Sequence, residues 1–150
     1  MPSVEYVVVK VHSNKHYFVR TSPSIRIKMG NNCSSSPSPL PTSKPVLVYW
    51  AVHGRSDFCQ AMLYAGNIDY DLDDTTANEW PASKEDTPFG QVPVLKHGTM
   101  TIGQGGAINR YCAKLAGIYP SGFQEAALCD MYLEEIMDIF GGLFKVRHNS

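Results

Sequence analysis

The sequence predicts an α/β fold in which a β-α-β unit is followed by a β-β-α unit. Three observations carry that prediction. The apolar run "VLVYWAV", from Val46, reads as a buried strand and leads straight into a helix-forming segment. Two short apolar stretches, "VPVLKHG" and "TMTIG", are joined by a Lys-His-Gly turn and read as a hairpin. The segment "QGGAINRYCAKLAG" spaces its apolar residues as a helix does and ends in Gly117.

From Pro45 each element has a local reason. In "GRSDFCQAMLYAG", Ser56 or Asp57 starts a helix and Gly66 closes it. "NIDYDLDD" alternates Ile68, Tyr70 and Leu72, the pattern of a strand with one wet face. "TTANEWPASKEDTPFGQ" is a long polar connection. In the next strand Pro93 cannot donate a ladder hydrogen bond, so it implies an edge position or a cis bond at a turn. The helix that follows presents Ala107, Ile108, Tyr111 and Leu115 on one face. Beyond Pro120, Ser121 and Gln124 form a capping-box pattern. It opens an amphipathic helix from Phe123 to about Phe144, with Leu128, Met131, Tyr132, Glu135, Ile136, Ile139 and Phe140 at helical spacing. A right-handed parallel crossover followed by an antiparallel hairpin and a covering helix is the thioredoxin-like topology.

Three segments are expected. Residues 1–44 form a basic, Ser/Pro-rich, disordered extension, residues 45–121 the thioredoxin-like domain, and residues 122–150 the first helix of an incomplete all-helical domain. Net charge is −1, so composition gives no reason to expect nucleic acid. The balance is uneven, because Lys10, Lys15, Arg20, Arg26, Lys28 and Lys44 face only Glu5 in the first segment. Within it, "YVVVKVHSNKHYFVRT" reads either as strand or as a transit-like basic stretch, and "NNCSSSPSPLPTSKP" as a linker. "MGNNCSSS" matches an acylation pattern only if translation starts at Met29. Gly30 and Cys33 would then take two acyl chains and bind membrane; otherwise no membrane partner is expected. Cys33, Cys59, Cys112 and Cys129 make no C-x-x-C pair and no zinc spacing. No metal is expected, and Cys59, Cys112 and Cys129 read as buried, reduced thiols of a cytoplasmic protein.

Four motifs stand in order: "VYWAVHGRSDF", "EWPASK", "PFGQVPVL" and "QGGAINRY". Together they resemble the cytosolic glutathione transferases, and in detail the sigma class. The resemblance implies glutathione as co-substrate, a small electrophile as second substrate, and a homodimer. Tyr49 matches the family's catalytic tyrosine, with Arg55 as a nearby cation. Val92, beside Pro93 in cis, would pair with the ligand's backbone as an added strand does. Trp80 and Lys84 match the end that holds the glycyl carboxylate, with Gln91 contributing at this end or beside Val92. Gln104 and Gly105 open a helix whose N–H groups favour the γ-glutamyl carboxylate. Asp130 resembles an acidic residue that reaches across the dimer to the partner's glutathione. Three positions depart from the pattern: Gly105 replaces a serine, His53 an arginine and Phe58 a proline.

The chemistry suits these residues. Glutathione's thiol has an ordinary pKa of about 8.5, and the thiolate is the nucleophile. Lowering that value by ~2 units needs about 2.7 kcal/mol, within reach of a charge-assisted hydrogen bond plus a cation. The expected activity is a glutathione transferase, including a prostaglandin-isomerase variant. The alternative is a non-catalytic, crystallin-like binding module, to which Gly105 and the missing helical bundle are suited. A dithiol redox protein is a third reading, opposed by the lack of cysteine near Tyr49.

Overall fold

The computed structural model describes residues 6–11, 15–20, 40–80 and 82–148. The acylation pattern at Met29–Ser34 and residues 31–39 of the expected linker lie outside them. Strands β1 (Tyr6–Val11) and β2 (Lys15–Arg20) pair antiparallel, with Val8 opposite Phe18. These two segments take the strand form of the two readings given to this stretch, since β-branched residues favour a pleated pair.

The domain itself is a four-stranded mixed sheet in the order β4-β3-β5-β6. Its strands are β3 (Val46–Val48), β4 (Asp71–Asp73), β5 (Val94–His97) and β6 (Met100–Gly103). β3 runs parallel to β4 and antiparallel to β5, with Leu47 opposite both Leu72 and Leu95. Helices α1 (Asp57–Ala65) and α3 (Gly105–Leu115) pack against each other. The expected βαβ-ββα order is thus the observed one, followed by α4 (Phe123–His148).

Leu47, Cys59, Leu63, Leu95, Ile108 and Cys112 are fully buried and form the core between sheet and helices. Burying each large aliphatic side chain contributes roughly 1.5–3 kcal/mol. The polar connection is more ordered than the sequence indicates, holding the one-turn helix α2 (Thr75–Asn78) and a 3-10 turn at Ala82–Asp86. The buried face of α3 is centred on Ile108, Asn109, Cys112 and Ala113, while Ala107 is exposed. Of the expected face, Ile108, Tyr111 and Leu115 do pack on the core, and Asn109 is buried with them in place of Ala107. α3 stops at Gly117, whose φ of 71° is the left-handed geometry glycine adopts freely. At the start of α4, Gly122 precedes the first helical residue and Glu125 is the first-turn acid. The i, i+3 pair is therefore Gly122–Glu125, one residue later than Ser121–Gln124.

The chain enters β3 at the end of the sheet remote from Tyr49. There the Lys44 ammonium lies 3.1 Å from Asp69 and 2.6 Å from Asp71. Ring nitrogens of His97 lie 2.6 Å from the Ser43 carbonyl and 2.7 Å from the Tyr111 hydroxyl. These contacts pin the end of the extension to the domain.

Candidate functional site

At the opposite end of the sheet, three chain turns, joined by Trp80 from the polar connection, meet around an open cleft of about 480 Å³. Its lining is Tyr49, Trp50, Arg55, Trp80, Gly90, Gln91, Val92, Pro93, Gln104 and Gly105. That volume is in the range of sites for small molecules. Each turn follows from local sequence. Tyr49 and Trp50 continue β3 past its last ladder residue, Val48. Val92 and Pro93 immediately precede β5, and their peptide bond is cis. Pro93 thus stands before the ladder, where its missing N–H leaves no gap. Gln104 ends β6 and opens α3.

Tyr49 is buried as a ring, with its hydroxyl at the first turn toward α1. The Arg55 backbone N–H donates to that hydroxyl at 3.2 Å. Gly54 makes the approach possible, since a Cβ there would lie 2.7 Å from the Tyr49 oxygen. A tyrosine hydroxyl has one proton and two lone pairs. With one lone pair occupied by Arg55, its proton remains available for an acceptor in the cleft.

The rim beyond Tyr49 is aromatic. Trp50 meets Tyr49 edge-on at 5.5 Å between ring centroids and Trp80 at 6.3 Å. The Lys84 ammonium stands 5.7 Å from the Trp80 ring, and the Lys84 stem crosses Gly90. Lys84 therefore borders the cleft through Trp80 and Gly90. At the α3 corner, Gln104 is held at φ 73°. The first-turn N–H groups of α3 have no partner within the helix. A Cβ on Gly105 would meet only the Met137 sulfur, 3.9 Å away, so the corner is open.

Nine of the ten sequence-predicted residues thus lie on or beside one cleft. Asp130 does not. Its carboxylate accepts from Arg110 Nε at 2.8 Å and from the Tyr119 hydroxyl at 3.1 Å, in its own chain. Trp50 and Gly90 were not singled out in the sequence. The signal for Trp50 was its place beside Tyr49 at a strand end, and for Gly90 its place before Gln91 and Val92. Cys129 is exposed, which corrects the expectation of burial, whereas Cys59 and Cys112 are buried. Among the described residues, no group of three or more His, Cys, Asp or Glu could hold a metal, and no helix is long and apolar enough to cross a membrane.

Residues 45–114 match the family model "Glutathione S-transferase, N-terminal domain". "Probable glutathione S-transferase 6" of Caenorhabditis elegans is 38% identical over 93 residues, covering 61% of this chain and 45% of the relative. "Hematopoietic prostaglandin D synthase" of Gallus gallus is 33% identical over 92 residues, covering 61% and 46%. The solved structure of a Nu-class glutathione transferase from Haemonchus contortus superposes with a TM-score of 0.58 at 29% identity, over 63% of this chain and 47% of that one. The chain thus spans less than half the length of the curated relatives it matches. Residues 45–114 carry the thioredoxin-like fold of a glutathione S-transferase N-terminal domain.

Proposed function

We propose that the cleft binds glutathione and that Tyr49 activates its thiol for attack on a small electrophile. The observation that carries this reading is the Tyr49 hydroxyl, which lines the cleft, accepts the Arg55 N–H and keeps its own proton to donate. A thiolate receiving that proton in a hydrogen bond is favoured over the thiol. The Arg55 side chain, also on the cleft, adds positive charge. Val92 offers its backbone to the ligand's cysteinyl residue, beside Pro93. Trp80, Lys84 and Gln91 take the glycyl end, and the start of α3 at Gln104 and Gly105 takes the γ-glutamyl carboxylate. In an addition the thiolate lone pair forms one sulfur–carbon bond as the electrophile's π bond opens, and the anion so formed takes up a proton from solvent that replaces the one released when the thiol ionised.

A sigma-like class is the finer assignment we favour, on the "VYWAVHGR" opening and the "QGGAINRY" helix start. A homodimer is the proposed assembly, with Asp130 directed toward the partner's glutathione, and the cytoplasm the proposed compartment. The domain division at residues 44 and 121 belongs to the same proposal. A crystallin-like binding module is the second reading, favoured by Gly105, which offers the γ-glutamyl end no hydroxyl. Retention on glutathione-agarose combined with a conjugation assay separates the two. Retention with turnover supports the transferase, and retention without turnover the module.

A further inference from the structure

We propose that Asp57 and Gly54 form a lock that holds the Arg55 amide beneath the Tyr49 hydroxyl, which makes Asp57 a positioning residue for thiol activation. The inference rests on the glutathione-transferase reading above. The Gly54 N–H donates to Asp57 Oδ1 at 3.0 Å, and the Asp57 N–H donates back to the Gly54 carbonyl at 3.1 Å. These reciprocal bonds close a four-residue turn in the manner of a capping box, but just outside the helix. Ser56, at the N-cap of α1, makes no side-chain cap bond of its own. The Asp57 carboxylate therefore orders the loop before the helix, where Arg55 lies.

The consequence falls on Tyr49. Held inside the closed turn, the Arg55 N–H points at the Tyr49 oxygen, 3.2 Å away. A hydroxyl that accepts a hydrogen bond is a stronger donor, because bonds in a chain polarise one another. Its remaining proton is also turned away from Arg55, toward the cleft. Gly54 completes the device, since any side chain there would strike the Tyr49 oxygen before the turn could close. The other Asp57 oxygen lies 3.3 Å from Nδ1 of the exposed His53, so Asp57 has an oxygen for each neighbour.

Two readouts on the full 150-residue chain test this. One is amide hydrogen exchange at Arg55 without ligand. The other is the pH midpoint of thiolate absorbance for bound glutathione. Asp57→Ala is expected to speed Arg55 exchange by roughly tenfold and to raise the thiolate midpoint by about 0.5–1 unit, the loss of one net hydrogen bond. Asp57→Asn keeps an acceptor for the Gly54 N–H and should restore both values toward wild type. Gly54→Ala should raise the midpoint with Asp57 intact. Arg55 exchange unchanged in Asp57→Ala overturns the lock, as does an Asn variant no better than Ala. A wild-type midpoint equal to that of free glutathione sinks the transferase reading instead, and Arg55 exchange still decides for or against the lock.

Discussion

Arg110 on α3 and Asp130 on α4 form an ion pair, with Arg110 Nε 2.8 Å from Asp130 Oδ1. Glu134, one turn further along α4, binds the same guanidinium. Hydrogen bonds from Asp130 and then Glu134 raise the Arg110 pKa above its ordinary value, so the cation is permanent. Gly106 lets the group close, since a Cβ there would lie 3.0 Å from a Glu134 oxygen and 3.2 Å from an Arg110 nitrogen. The pair joins the helix that opens at the cleft to the helix that follows the domain.

Arg110→Ala should therefore loosen α4. All three side chains are partly exposed, so the expected loss is only about 0.5–1 kcal/mol. Hydrogen exchange of α4 amides should quicken at low salt and less so in 1 M salt, near which screening acts within about 3 Å. Unchanged α4 exchange would show that contacts such as the edge-on pair Phe58–Phe140 hold the helix alone.

Gly105→Ser should strengthen glutathione binding. The site is open, and the added hydroxyl would reach the carboxylate that the helix N-terminus attracts. A hydrogen bond to a charged group contributes about 1.5–3 kcal/mol, at its lower end roughly tenfold in affinity. Calorimetric titration of both forms checks this. Equal affinities would place the γ-glutamyl group elsewhere.

Asn109 is fully buried, and neither its amide nitrogen nor its oxygen has a hydrogen-bond partner among the described residues. An unsatisfied buried amide costs about 1–3 kcal/mol. Asn109→Ala should then leave thermal stability equal or higher, whereas Leu63→Ala, in the same core, should lower it by roughly 2–5 kcal/mol. Thermal unfolding of the two variants separates them. A large loss in Asn109→Ala would reveal a partner for the amide.

The sequence made the strand order, the proline before β5 and most of the cleft legible, because each rests on a local rule. Pro93 cannot sit in a ladder, Gly66 and Gly117 end helices, an apolar run marks β3 and alternation marks β4. What it left dark depends on packing. Asn109 is buried on α3, which packs on the sequence-distant α1, and its polar side chain carries no apolar signal of that burial. Trp50 reads as one more core aromatic until Trp80 is brought against it from a separate turn. Asp130 reads as a residue directed at a second copy, and nothing beside it in sequence announces its own-chain partners Arg110 and Tyr119. Cys129 shows the same limit, since its apolar neighbours in sequence lie on different faces of α4.

The cysteines provide a further check. Cys59 and Cys112 are both buried in the core; interaction with the Cys112 thiol first, and burial second, push the Cys59 thiol up. The Cys59 sulfur also lies 2.9 Å from the Ser56 carbonyl. Cys129 is exposed. A thiol-specific reagent followed by peptide mapping should label Cys129 in the native protein, and Cys59 and Cys112 only after unfolding. Labelling of Cys59 at the rate of Cys129 would contradict the packing of α1 on α3.

The most direct test of the account is the ionisation of glutathione bound to wild type and to Tyr49→Phe, followed by thiolate absorbance against pH. Tyr49→Phe removes the one proton offered to the sulfur and leaves Val92, Trp80, Lys84 and the start of α3 in place, so binding should persist. In wild type the midpoint should fall about 2 units below the ordinary thiol value of about 8.5, and in Tyr49→Phe it should return most of the way. Equal midpoints in the two proteins would contradict the account, because the sulfur would then owe its ionisation to some group other than Tyr49.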